Sequence, residues 1–218
     1  MQIHQYIDHT LLNPTATIDD IKKLCQEAID HHFYAVCVHE CYVSLARNYL
    51  EDYPINVAAT VGFPLGTMAT TTKVAQARNC IDQGASEIDM VINIGFLKSG
   101  LFDKIEAEIA NIKKVIGDHV LKVILEISSL SDKEKQLATT LAIRAGADFI
   151  KTSTGFGTPP VTPEDIALLK EFAGTHIKIK ASGGIKNATV AQQLIKAGAS
   201  RLGTSSGIAI INDLDASI

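Results

Sequence analysis

Apolar and polar residues alternate along eight short segments of this chain, and helical patterns separate them. Two late segments show it most clearly: Asp148-Phe-Ile-Lys-Thr-Ser-Thr154 and Ile177-Lys-Ile-Lys-Ala-Ser-Gly183. A strand sends successive side chains to opposite faces. Ile150 therefore lies on one face of the first segment, and Ile177, Ile179 and Ala181 on one face of the second. Lys151 and Lys180 fall on the other. The pattern predicts eight strands at about 6–12, 34–39, 56–62, 86–93, 121–127, 148–154, 176–182 and 200–204.

A repeat supports this reading. Gln83-Gly-Ala-Ser-Glu-Ile88, Ala145-Gly-Ala-Asp-Phe-Ile150 and Ala197-Gly-Ala-Ser-Arg-Leu202 each place a glycine at a helix end, then a short turn, then an apolar strand. Gly117 and Gly174 stand in looser versions, and the glycines recur every roughly 24 to 33 residues, one strand and one helix apart. Helix starts are marked at Ser131-x-x-Glu134, a capping box, and at Thr162-Pro163-Glu164-Asp165, with Thr at the cap and Pro at the first helical position. Eight strands alternating with helices predict an α/β fold: a single (β/α)8 TIM barrel over residues 1–218. Its last helix is short, since only the stretch from Ser206 remains. No proline-rich linker divides the chain. A doubly wound open sheet is the competing architecture, but the first strand–helix turn lacks the glycine fingerprint of a dinucleotide site.

Composition narrows the partners. The chain is 46% hydrophobic, enough for a sizeable core, and 20% charged with a formal net charge of −4, which argues against nucleic acid or an acidic membrane surface. The seven His show no metal spacing, and His31-His32 closes a helical pattern where exposure is expected. Cys25, Cys37, Cys41 and Cys80 form no CxxC pair and sit among apolar residues, as buried thiols of a reducing cytoplasm would. The N-terminal stretch lacks the order of a signal peptide, and no apolar run reaches membrane-spanning length.

The strand face opposite the helices carries the chemistry. It offers Asp8 and Thr10, Cys37, Thr60, Asp89 and Asn93, Lys122 and Glu126, Lys151 and Ser153, then Lys180 and Ser182. Buried unpaired charge costs several kcal/mol per ion. Lys122, Lys151 and Lys180 could simply neutralise Asp8, Asp89 and Glu126, three against three. For Lys122, Glu126 and Asp8 singly, an ion-pair role is the expectation, and Lys178, earlier in its strand, reads as a surface or barrel-bottom residue. Two ammonium groups in a confined interior instead favour one neutral lysine. Desolvation and a neighbouring cation can lower a lysine by about 3 units, enough to expose a nucleophile that attacks a carbonyl to form a Schiff base. Ser182-Gly183-Gly184 and Gly203-Thr-Ser-Ser206 follow the last two strands, where barrel enzymes commonly bind phosphate on backbone N–H groups.

These residues resemble the deoxyribose-phosphate aldolase family over nearly the whole chain. The likeness runs from Ile7-Asp-His-Thr-Leu-Leu12 and Ala35-Val-Cys-Val38 through Val61-Gly-Phe-Pro64, Glu87-Ile-Asp-Met-Val-Ile-Asn93 and Leu121-Lys-Val-Ile-Leu-Glu126. It ends in Phe149-Ile-Lys-Thr-Ser-Thr-Gly155, Lys180-Ala-Ser-Gly-Gly-Ile185 and Gly203-Thr-Ser-Ser206. The resemblance implies a class I aldolase needing neither metal nor cofactor. Its reaction is reversible cleavage of the phosphosugar 2-deoxy-D-ribose 5-phosphate to acetaldehyde and D-glyceraldehyde 3-phosphate. By position, Lys151 resembles the Schiff-base lysine, Lys180 the lysine that perturbs it, and Asp89 the proton-relay carboxylate. Gly155, Gly183, Gly184, Gly203, Ser205 and Ser206 match phosphate contacts, and Asp8, Cys37, Lys122, Glu126 and Thr154 support the site. The family usually forms dimers or tetramers; cytoplasmic placement is the reading of the chain's own cysteines and N-terminal stretch. Two departures stand out. Phe156 occupies a place where some members carry a phosphate-binding lysine, which shifts that duty toward Lys186. No terminal Tyr stands at Ile218. A transaldolase-like enzyme and a non-catalytic phosphosugar-binding barrel are the rival readings.

Overall fold

The computed structural model describes residues 2–157 and 159–215. The chain end at Ile218 lies outside the described residues. Eight parallel strands close into a barrel in chain order: β1 (Ile7–Thr10), β2 (Ala35–Val38), β3 (Asn56–Val61), β4 (Glu87–Val91), β5 (Val120–Ile124), β6 (Phe149–Lys151), β7 (Lys178–Ser182) and β8 (Arg201–Thr204). The last strand pairs with the first, with Ile7 opposite Leu202 and Asp8 opposite Gly203. Around them lie α1 (Ile18–Asp30), α2 (Val43–Tyr49), α3 (Thr70–Asp82), α4 (Ile94–Lys98), α5 (Phe102–Ile116), α6 (Asp132–Arg144), α7 (Pro163–Ala173), α8 (Ala188–Ala197) and the short α9 (Gly207–Asp215). None is long and apolar enough to cross a membrane.

The helix-end glycines do what their spacing suggests. Gly84, Gly146 and Gly198 take positive φ angles of 99°, 81° and 122°, the region that lets a chain leave a helix and turn into a strand. Ser131 and Thr162 both close capping boxes, with Glu134 and Asp165 reaching back to the cap backbone. A third box, Thr17 with Asp20, starts α1.

The core lies between sheet and helices. Ile88, Met90 and Ile92, Leu121, Val123 and Leu125, and Ile179 and Ala181 are buried in it with the apolar stripes of the helices. Each fully buried Ile, Leu, Val or Met among them contributes about 2 kcal/mol. Several strands are shorter than the alternation suggests. The sixth pairs only over Phe149–Lys151, so Lys151 is its last residue and stands at the C-terminal rim. Asn93 is not an inward strand residue: its side chain caps α4 by accepting from the Phe96 N–H. Among the cysteines Cys41 is exposed, contrary to expectation, because it falls in the turn after β2. Burial pushes the Cys25 and Cys80 thiols up, to about 11 and about 12, which leaves both inert. His32 is exposed, whereas His31 is half-buried and stacks on Phe33 with ring centroids 5.7 Å apart.

Candidate active site

Alternate strands of a closed barrel contribute alternate layers of interior side chains. In this barrel the even strands supply Ala35, Glu87, Phe149 and Arg201 at the bottom. The odd strands supply Asp8, Ala58, Lys122 and Lys180 above them. The even strands return with Cys37, Asp89, Lys151 and Gly203 at the top. An ordinary barrel fills these positions with branched apolar residues. Here seven of the twelve are ionisable acids or bases of the Asp, Glu, Lys and Arg type, all buried.

Asp89 is the hub. Its Oδ1 accepts from Lys122 Nζ at 2.7 Å, and its Oδ2 accepts from both Lys151 and Lys180 at 2.8 Å. Asp8 takes a second contact from Lys180 and lies 3.6 Å from Lys122, while its other oxygen accepts from Arg201 at 3.0 Å. Glu87 pairs with Lys122 at 2.5 Å and lies 3.7 Å from Arg201. The guanidinium of Arg201 sits over the Tyr34 ring, 3.3 Å from its centroid.

Protonation follows from these contacts. Burial alone would raise both aspartates, but the cations outweigh it. Lys180, Lys122 and Arg201 bring Asp8 down to about 2, and Lys122, Lys151 and Lys180 hold Asp89 well below the usual carboxylate range. Burial would likewise lower the cations, and the acids reverse it. Asp89, Glu87 and Asp8 hold Lys122 above the ordinary lysine range, and Asp8 and Asp89 do the same for Lys180. Arg201 is raised by Asp8 and Glu87. Cys37 Sγ lies 4.0 Å from Asp89 Oδ2; burial and that carboxylate both push its thiol up, so it stays neutral.

Lys151 differs from the other cations. It touches one carboxylate, which it shares, and it lines a cavity of about 530 Å³ at the C-terminal rim. Thr10, Leu12, Gly155, Phe156 and Lys186 line the cavity too, and its far wall holds Gly183, Gly184, Gly203, Ser205 and Ser206. Gly184 has a positive φ of 73°, and a side chain there would strike Pro160 at 2.4 Å. The Ser206 N–H donates to Thr204 Oγ1 at 2.9 Å, so its hydroxyl is what it can turn to an anion, beside the N-terminus of α9. Gly203 serves a different purpose from the loop glycines. A Cβ on it would sit 2.9 Å from Lys180 Cε, so its bare backbone makes room for the lysine to cross the interior. Among the described residues no three His, Cys, Asp or Glu side chains are disposed to hold a metal ion.

The model of the DeoC/LacD family aldolases matches residues 2–213. The chain belongs to the DeoC/LacD aldolase family. It is 44% identical over 214 residues to the deoxyribose-phosphate aldolase of Coprothermobacter proteolyticus, covering 98% of each chain. It is 46% identical to that of Deinococcus radiodurans, covering 97% of this chain and 96% of the other. Among solved structures it superposes on the tetrameric deoxyribose phosphate aldolase of Aeropyrum pernix with a TM-score of 0.90 and 31% identity, over 99% and 92% of the two chains. The protein is thus an aldolase, a lyase on a (β/α)8 barrel.

Within this aldolase site the even balance of three lysines against Asp8, Asp89 and Glu126 does not hold. Glu126 takes no part in the interior network. It lies beyond the end of β5 with a left-handed backbone, φ 53°, and accepts from the Thr154 N–H at 3.1 Å and from its hydroxyl at 2.5 Å. It anchors the loop after β6 instead of neutralising a lysine. The third interior acid is Glu87, and Arg201 is a fourth cation. Strand parity could have found both, since Glu87 shares a face with Asp89 and Arg201 with Gly203. Phe156 is exposed and meets Phe63 edge-on at 5.4 Å at the mouth of the site, and Lys186 is exposed on the cavity wall. Lys178 is also exposed, over the Phe149 ring at the barrel bottom.

Proposed function

We propose that the protein cleaves 2-deoxy-D-ribose 5-phosphate reversibly to acetaldehyde and D-glyceraldehyde 3-phosphate, with Lys151 as the Schiff-base lysine. One observation carries the reading: the interior cation with the fewest anionic contacts is also the one that opens into the cavity. Among the described residues, Lys122, Lys151, Lys180 and Arg201 pair with Asp8, Glu87 and Asp89 alone. Four cations against three anions leave one positive charge over, and shedding one proton removes it. Lys122, Lys180 and Arg201 are held charged by their acids, and Lys151 is the one a carbonyl in the cavity can reach.

Neutral Lys151 Nζ attacks the C1 aldehyde of the open-chain sugar, and loss of water gives an iminium. A base takes the proton of the C3 hydroxyl, and the C2–C3 bond breaks. Its electron pair flows into the iminium to give an enamine on Lys151, while C3 to C5 leave as glyceraldehyde 3-phosphate. Protonation at C2 and hydrolysis release acetaldehyde and restore the amine. Asp89 touches both Lys151 and Lys180, so it can pass protons between the reacting nitrogen and the Lys180 ammonium, directly or through a water on the substrate side. The phosphate would reach the Gly183-Gly184 and Ser205-Ser206 loops, with Gly155 beside them and Lys186 adding charge. A cytoplasmic dimer or tetramer working in deoxyribonucleoside breakdown fits the family.

The test is intact-mass spectrometry after acetaldehyde and borohydride, then peptide mapping. A single reduced two-carbon adduct on Lys151, lost together with turnover in Lys151→Ala, is the expected result. No adduct, or label spread over surface lysines, would overturn the reading.

A further inference from the structure

The bottom layer of the barrel holds two buried charges that the reaction does not touch. Arg201 and Glu87 lie beneath the lysines, 3.7 Å from each other, and each also binds a residue of the layer above: Arg201 binds Asp8, and Glu87 binds Lys122. Both are at least nine-tenths buried. A barrel bottom normally needs no charge, and apolar side chains of similar volume would serve stability at least as well. Arg201 is also what turns an even balance into a surplus: without it the interior would hold three cations and three anions.

We infer that Arg201 and Glu87 are an opposed pair of positioning residues: through the net charge of the barrel interior they set the pH at which Lys151 begins to react with a carbonyl, Arg201 lowering it and Glu87 raising it. The influence travels along a chain of contacts. Arg201 occupies one oxygen of Asp8, the other oxygen binds Lys180, Lys180 shares Asp89 Oδ2 with Lys151, and Glu87 draws on Lys122, which shares Asp89 Oδ1. The groups facing Lys151 from the neighbouring strands are Asp89, Lys122 and Lys180, with Cys37 neutral and Asp8 behind them. Glu126 at the rim gives one oxygen to Thr154, while its other oxygen is buried without a hydrogen bond among the described residues. β4 and β8 each lie two strand spacings from β6, about 10 Å, and a charge at that range and an effective dielectric near 20 corresponds to a shift of about one pH unit.

This inference rests on Lys151 being the carbonyl-binding lysine. The experiment measures the rate of acetaldehyde adduct formation on Lys151, trapped with cyanoborohydride, from pH 5 to 10 in the parent, E87Q, R201M and R201K. If the parent forms no Lys151 adduct, the functional reading itself fails. If it does, removing the surplus cation in R201M should move the midpoint of the rise in rate up by about one pH unit. Removing an anion in E87Q should move it down by a similar amount, and R201K should return it toward the parent. A merely structural pair would impair folding or rate without shifting the midpoint in opposite directions. Both variants moving the same way, or neither moving, overturns the inference. Should R201M fail to fold, E87Q decides alone: a midpoint unmoved or raised is fatal.

Discussion

Among the described residues, two places bury a lysine completely, and they do opposite things with it. Between α3 and α5, Lys73 Nζ lies 2.6 Å from Glu108 and donates to the Val91 carbonyl at 2.8 Å, while Thr70 donates to the other Glu108 oxygen at 3.0 Å. One cation meets one anion, and the neighbours complete their hydrogen bonds. Burial pushes the Lys73 ammonium down and Glu108 offsets part of that. Inside the barrel three lysines and Arg201 face three acids, one cation too many, and one of the lysines opens on a cavity. A balanced, closed pair can only hold helices and strand together. An unbalanced, open set must move a proton, and a site that can lose a proton can do covalent chemistry. Burial alone does not distinguish the two regions; stoichiometry and access do.

The most severe way to break the contrast is to make the interior balanced. Lys180→Leu leaves Lys122, Lys151 and Arg201 against Asp8, Glu87 and Asp89. Lys151 then supplies the third cation and keeps its proton, and Asp89 loses the acid it exchanges with. Turnover at neutral pH should fall by about 10²- to 10⁴-fold. Adduct formation on Lys151 should recover in part when the assay is moved to high pH. Steady-state rates and trapping measured side by side check this; near-parental turnover would show that the surplus of charge is not what activates Lys151.

The closed pair should respond in stability instead. Lys73→Met leaves Glu108 buried with only Thr70, at a cost of about 3–5 kcal/mol. In a chain of this size that lowers the melting temperature by about 10 °C, and calorimetry reads it directly. Whatever fraction stays folded should keep the parental pH midpoint for trapping. A shifted midpoint would mean that Lys73, through Val91 at the end of β4, also sets the position of Asp89.

Much of this was legible before the structure. Period-two alternation and the glycine repeat locate all eight strands, because parallel barrel strands are short and bounded by turns, and parity alone brings Asp8, Asp89, Lys122, Lys151 and Lys180 onto one face. The errors lie at strand ends. Alternation continues past the point where pairing stops, so Asn93 and Glu126 read as inward when one caps a helix and the other anchors a loop. Taking Glu126 as the third acid hid the role of Glu87 and made the charges look even. Arg201 was missed because it lies at the first residue of a short strand, where an arginine reads as a surface residue. Its ring partner Tyr34 comes from just before β2, on the far side of β1, a juxtaposition one sequence cannot show.

The smallest expected effect sharpens the comparison at its rim. Lys186 is exposed, so its contribution to an anion is screened and worth about 1 kcal/mol. Lys186→Ala should therefore raise KM for the phosphorylated sugar about fivefold and leave kcat within a factor of two. Cleavage of unphosphorylated 2-deoxyribose should not change at all. Because exposed charges are screened within about 3 Å at 1 M salt, the difference between parent and variant should vanish there. The interior lysines are buried away from ions, so the defect of Lys180→Leu should persist at the same salt. Equal losses for both sugars would instead place Lys186 with the loop that shapes the cavity, and phosphate binding would then rest on Gly183, Gly184 and the two serines alone.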